Sequence, residues 1–182
     1  MFATTIAAAA LTLANPAAAD GPNDNAHANL RHMAPLIGQW DITDYNLSPE
    51  GEWVEGSGAD WSFWWALDGY AVQDLWIAPG YDVALDDETR RSVGTNIRRV
   101  DPATGEWEMA WLTKASGPTL RFTAKSTEDE VVMESVEPHF TGAPTRITFY
   151  NMTGDSFDWT LERAADGETY TAIYKIEGTR IE

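Results

Sequence analysis

The 182-residue chain contains no cysteine. That excludes a disulfide framework, thiolate metal sites and Cys nucleophiles, and it leaves the core alone to stabilise the fold. Basic residues are few: 12 Lys and Arg stand against 29 Asp and Glu, for a net charge of −17. Phosphate backbones and anionic membranes repel such a surface, so neither nucleic-acid nor membrane partners are expected. The excess acid favours a soluble protein, monomeric or at most weakly dimeric. Histidine is scarce, with His27, His32 and His139 the full set. His27 and His32 are spaced i, i+5, not the i, i+4 that puts two ligands on one helix face. His139, in Glu137-Pro138-His139-Phe140, reads as a loop residue and not as an axial haem ligand. Asp86-Asp87-Glu88 lacks the alternating oxygen ligands and the glycine of a calcium loop. No metal and no cofactor are therefore expected. There is no G-x-S-x-G elbow and no phosphate loop; Gly56-Ser57-Gly58 is a lone G-x-G inside a strand pattern.

Long apolar runs are also missing. The opening MFATTIAAAALTLANPAAAD has an apolar h-region too short to span a bilayer, and it ends in Ala17-Ala18-Ala19 before Asp20. That A-x-A pattern predicts an export leader over residues 1–19 and a periplasmic or secreted protein; the alternative is a disordered Ala-rich tail. Residues 20–35 then read as a polar linker and a short helix, from Ala26 to Met33, capped by Asn25 and ended by Pro35. Residues 36–182 are long enough for one domain with a sizeable core.

What the chain has in quantity is aromatic side chains at alternating positions. The stretch DWSFWWALDGYAVQDLW, Asp60 to Trp76, holds four of the nine tryptophans. It predicts two strands joined by a turn at Leu67-Asp68-Gly69. Trp61, Phe63 and Trp65 share one face, and Trp64 takes the other. A strand through about Asn46 precedes it, and the strand from Trp53 to Leu67 carries Gly56 and Gly58 as a bulge or bend. The Ala78–Arg91 loop follows. Seven further strands, starting at Ser92, Trp107, Thr119, Val131, Thr145, Ser156 and Tyr170, are separated by turn chemistry such as Asp101-Pro102 and Asp166-Gly167. Ten antiparallel strands in sequential hairpins predict an all-β, up-and-down barrel, with a two-sheet sandwich as the alternative.

Gly38-x-Trp40, opening the first strand after a short helical segment, resembles the first sequence signature of the lipocalin and calycin superfamily. The resemblance implies that Trp40 plugs the closed end of the barrel and that Arg180 lies across its ring. The whole of residues 20–182 is similar to a family of uncharacterised, exported bacterial lipocalin-like domains. The matching pieces are Leu36-x-Gly38-x-Trp40, the aromatic run to Leu67-Asp68-Gly69, Arg99-Val100-Asp101-Pro102 with Trp107, Arg146-x-x-Phe149, and Phe157-x-Trp159 with Asp166-Gly167. That family implies a fold; no catalytic residue set comes with it.

Aromatic side chains at alternating strand positions include Trp61, Phe63, Trp65, Tyr70, Trp76, Trp111, Phe149, Trp159, Tyr170 and Tyr174. They can fill a small barrel as core, or wall a pocket for one small ligand. The expected pocket residues are Trp61, Phe63, Trp65, Asp74, Trp76, Trp111, Arg146 and Trp159, holding a small apolar or aromatic ligand. Gln73, Asp74, Arg98 and Arg146 are the candidate orienting groups. Asp74 is either a buried acid paired with Arg98 or Arg146, or plain surface, because a one-residue slip reverses the face. Two functions fit: a binding barrel, or an isomerase, cyclase or hydrolase in the same cavity. In the second, Asp74 or His139 acts as acid/base and Arg146 stabilises developing negative charge.

Overall fold

A computed structural model describes residues 19–87, 90–115, 117–137 and 142–181. The leader up to residue 18, Glu88 and His139 with its neighbours 138–141 lie outside these described residues. The strands are β1 (Gly38–Leu47), β2 (Trp53–Glu55), β3 (Ala59–Ala66), β4 (Ala71–Ala78), β5 (Ser92–Val100) and β6 (Trp107–Thr113). They continue as β7 (Leu120–Ser126), β8 (Val131–Ser135), β9 (Thr145–Tyr150), β10 (Ser156–Arg163) and β11 (Thr171–Arg180). From β3 onward each strand pairs with the next in the chain, and β11 pairs with β1 from Trp40↔Arg180 to Asn46↔Tyr174. Ten strands thus close an antiparallel up-and-down barrel and leave it no open edge. The expected architecture holds, and the sandwich does not.

β2 stands outside that ring. It pairs with the far end of β1, at Tyr45↔Glu55 to Leu47↔Trp53, while β3 takes the near end from Gly38↔Phe63 to Ile42↔Ala59. The expected single bent strand from Trp53 to Leu67 is therefore two strands. Asp44 makes the break: its backbone oxygen accepts the Gly56 N–H at 2.8 Å and its carboxylate accepts the Gly58 N–H at 2.8 Å. The chain steps off the ladder around that side chain and rejoins it at Ala59.

In the central hairpin Trp61 faces Trp76, Phe63 faces Asp74 and Trp65 faces Val72 across β3 and β4. These six point inward, and Ser62, Trp64 and Gln73 occupy the half-buried outer face. The turn puts Leu67, Asp68 and Gly69 in succession at positive φ, which twists the two strands into the barrel's curvature.

One end of the barrel is plugged. A 3-10 helical segment spans Ala28–Leu36, with the ring of His27 accepting the Asn29 N–H at its start. It begins later than the expected Asn25-capped helix and runs through Pro35. The reason is the spacing of Leu30, Met33 and Leu36: three residues per 3-10 turn stacks them on one face, and all three are fully buried against the barrel end. Below them Trp40 is buried completely, its indole N–H donating to the Leu36 carbonyl at 2.7 Å. Arg180 lies 4.3 Å over the Trp40 ring and donates to the carbonyls of Pro35, Ile37 and Gly154. Gly38 has φ +138°, and a Cβ there would collide with the Arg180 guanidinium. The G-x-W spacing is thus a packing requirement: a bare backbone for the arginine to cross, and a large ring beneath it.

Candidate functional site

The opposite half of the barrel holds a cavity of about 240 Å3. Inward positions of nine strands, β3 to β11, wall it. Trp61 and Trp76, cross-strand partners, meet edge-on at 5.1 Å. Trp159 stands 6.2 Å from Trp61 and 5.7 Å from Tyr174, both edge-on. Trp111 comes from β6, and its ring lies against the backbone of Gly94, where a Cβ would clash with it. Phe122, Met133, Ile147, Phe149, Leu161 and Ile176 complete an apolar wall.

The floor is polar. Asp74 is wholly buried, and Arg98 and Asn96 are 2% and 3% exposed. Arg98 Nη2 lies 2.7 Å from Asp74 Oδ2, while Asp74 Oδ1 accepts the Asn96 backbone N–H at 2.7 Å. Burial pushes the Asp74 carboxyl up from its ordinary value; Arg98 first, and then the Asn96 N–H, pull against that rise. The guanidinium also lies against the rings of Phe63 at 5.6 Å and Phe149 at 5.7 Å, which are in edge contact with each other. Among the described residues, Nε and Nη1 of Arg98, Oδ1 of Asn96 and Nε1 of Trp61 make no hydrogen bond, and all three residues line the cavity.

At the mouth the Tyr174 hydroxyl donates to Asp44 Oδ2 at 2.8 Å. Burial first, and the Asp44 hydrogen bond second, raise the tyrosine's pKa far above its usual range, so it stays a neutral donor. Asp44 thereby ties β1, the Gly56–Gly58 step and β11 together beside the cavity entrance.

Of the eight expected pocket residues, Trp61, Trp76, Trp111 and Trp159 stand on the cavity wall. Asp74 faces inward and holds Arg98 without reaching the wall itself. Phe63 packs under the guanidinium, and Trp65 lies deeper, at the plugged end, where its carbonyl accepts the Ala19 N–H at 3.2 Å. Arg146 is a correction. On β9 the inward positions are Thr145, Ile147 and Phe149, so Arg146 projects outside, bonded to Glu162 at 2.6 Å and stacked on Tyr170 at 4.1 Å. Gln73 likewise faces outward, toward Thr95, and Tyr70 sits exposed in the turn. Asn96 and Asp44 went unremarked in the sequence. Asn96 had a signal, since it shares a strand face with Arg98 two residues on; Asp44 had none, because its partners lie 14 and 130 residues away.

No family model matches the chain, and no curated relative does. Solved structures do. Rv2717c from M. tuberculosis is 17% identical and covers 86% of this chain and 99% of its own length, at a TM-score of 0.57. The S-type phycobiliprotein lyase CPES from Guillardia theta is 11% identical, covers 82% and 90%, and gives a TM-score of 0.52. At such identities the likeness is one of fold, and the fold is that of a lipocalin-like barrel.

Proposed function

We propose that this chain is an exported barrel that binds one small apolar or aromatic molecule in the cavity between its tryptophans. The observation that carries the reading is the cavity's construction: four indoles above a buried, internally neutral ion pair. Ligand pockets run to roughly 300–1,000 Å3; at about 240 Å3 this cavity falls just below that range and suits a molecule of one or two rings. Flat apolar walls supply affinity and the few buried polar atoms orient the guest. The A-x-A pattern ending the leader supports a periplasmic or secreted site of action. The net charge of −17 argues for a small-molecule partner over a nucleic acid or a membrane surface, and for a monomer or weak dimer.

The alternative, an isomerase, cyclase or hydrolase, draws on the same cavity. Of its candidate acid/base groups, Asp74 already serves Arg98 and the Asn96 N–H, and His139 lies outside the described residues; Arg146 faces away from the cavity. Binding is the reading these placements support better. Native mass spectrometry of protein isolated from its own host tests it. The expected result is a small, mainly apolar molecule retained by the wild type and lost from Trp61→Ala. A bare mass, together with no quenching of tryptophan by any apolar ring compound, would sink the reading.

A further inference from the structure

We infer that the guest is electrically neutral and carries an amide-type pair, a carbonyl that accepts from Arg98 beside an N–H that donates to Asn96. The inference rests on the binding reading above. Its starting point is the set of buried polar atoms on cavity-lining residues with no hydrogen-bond partner among the described residues: Arg98 Nε and Nη1 and Trp61 Nε1 as donors, and Asn96 Oδ1 as an acceptor, of which Arg98 and Asn96 stand side by side. A buried donor or acceptor left unmade costs far more than a formed bond contributes, so this floor favours a ligand that supplies one acceptor and one donor. Arg98 and Asn96 sit two residues apart on the same face of β5, which places both demands at one spot.

A carboxylate is the obvious rival for an arginine, and two features oppose it. The first is charge. Among the described residues Arg98 is the one charged side chain on the cavity wall, and Asp74 already neutralises it at 2.7 Å, so an anion would enter as an uncompensated buried charge. Asp44, buried beside the mouth, adds a second like charge. The other feature is geometry. A guanidinium grips a carboxylate through one of two forks, Nε with Nη2 or Nη1 with Nη2. Asp74 already takes an N–H of Nη2, the nitrogen common to both, so at most one fork stays open to a ligand. A carbonyl that accepts from Nε or Nη1 needs no open fork and brings no charge with it. Phe63 and Phe149 both stand beside the guanidinium, 5.6 Å and 5.7 Å from ring centre to its carbon, and keep it among apolar groups.

The test is a matched ligand series on the wild-type protein at neutral pH, read by calorimetry and by energy transfer from the cavity tryptophans. The series is naphthalene-2-carboxamide, its N,N-dimethyl amide, 2-naphthoate and 2-methylnaphthalene. The carboxamide is expected to bind about tenfold tighter than the hydrocarbon and the naphthoate, with the dimethyl amide between, since a formed hydrogen bond is worth roughly a tenfold step. Asn96→Leu, which keeps the branched shape but loses the carbonyl, should remove the carboxamide's advantage over the dimethyl amide. Naphthoate binding as tightly as the carboxamide, or a hydrocarbon equal to it, would overturn the neutral-amide assignment while leaving the binding barrel standing. If no member of the series binds, both fall. The wild-type series decides the matter even where Asn96→Leu does not fold.

Discussion

Trp40 makes three contacts at once: Phe157 edge-on at 4.8 Å, Arg180 over its face at 4.3 Å, and the Leu36 carbonyl on its N–H. Trp40→Ala should therefore cost about 3–5 kcal/mol in urea unfolding, the range for a large aromatic lost from a core. Arg180→Met keeps the aliphatic stem but loses the cation over the ring, about 0.5–2 kcal/mol, and leaves three carbonyls unserved. About 2 kcal/mol is expected in total. An Arg180→Met protein as stable as wild type would show that the crossing contributes nothing. Both residues were legible in the sequence, because a missing Cβ and a bulky ring two positions apart leave a visible mark. Asp74 was legible only up to a choice of face. Its inward direction follows from its pairing opposite Phe63, which depends on β3's register with β1 and so on residues more than twenty positions away. Arg146 misled for the complementary reason. An arginine near Phe149 reads alike whether the strand enters the barrel on an odd or an even position; here Thr145 enters first and sends Arg146 out.

Among the elements, the β3–β4 hairpin separates binding from stability, because its two faces and its two ends do different work. Trp61→Ala opens the cavity wall and should weaken an apolar fluorescent probe by about tenfold or more, from the lost apolar contact. Trp65→Ala removes a ring 5% exposed at the plugged end, and should cost about 3–5 kcal/mol of stability with probe affinity unchanged. Trp64 is half-buried on the outside, and Trp64→Ala should change stability by about 1 kcal/mol or less. Probe binding that responds to Trp64→Ala and ignores Trp61→Ala would require the opposite register. The β10–β11 turn offers a separate reading. Asp166 accepts the backbone N–H groups of Thr169 at 2.7 Å and Glu168 at 2.9 Å, and these bonds lower its pKa from 3.8 to about 2. A carboxyl lowered in the folded state contributes stability that is complete above its unfolded value and fades as pH falls toward the folded one. Stability should thus decline from about pH 4 to about pH 2, and Asp166→Asn should flatten that limb in acid titrations followed by circular dichroism. An identical acid limb in the variant would remove Asp166 from the account. Turn chemistry at Asp166-Gly167 was readable from sequence because it is local; the break at Gly56–Gly58 was not, because Asp44 causes it from the neighbouring strand.

For the molecule as a whole, the ten-strand ring leaves one question of completeness, namely how much of the chain before β1 the barrel needs. The segment from Asp20 to Ile37 closes the plugged end in two ways. Asn23 donates from its backbone to Gly69 at 2.9 Å and from its side chain to the Asp68 carbonyl at 3.2 Å, fastening the linker over the hairpin turn. Leu30, Met33 and Leu36 then fill the barrel end, each contributing about 1.5–3 kcal/mol by burial. Before Asp20, the described contact is the Ala19 N–H to the Trp65 carbonyl, one backbone bond worth about 0.5–1.5 kcal/mol net. These magnitudes set a sharp contrast between two shortened chains. One that starts at Asp20, the product expected from export, should melt within a few degrees of the full chain, a shift that about 1 kcal/mol produces in a domain of this size. One that starts at Gly38 keeps every strand yet forfeits the three plug residues and the Leu36 carbonyl that serves Trp40. Their sum approaches the roughly 5–15 kcal/mol that holds a whole domain together, so this chain should unfold, or associate through the exposed barrel end. Thermal unfolding by circular dichroism, with size-exclusion chromatography alongside, separates the cases. A Gly38 start with an unaltered melting temperature would make the helical segment dispensable, and an unfolded Asp20 start would place the domain boundary inside the leader. N-terminal sequencing of periplasmic or secreted material supplies the natural boundary: Asp20 agrees with export by cleavage, and an intact Met1 on exclusively cytosolic protein removes it.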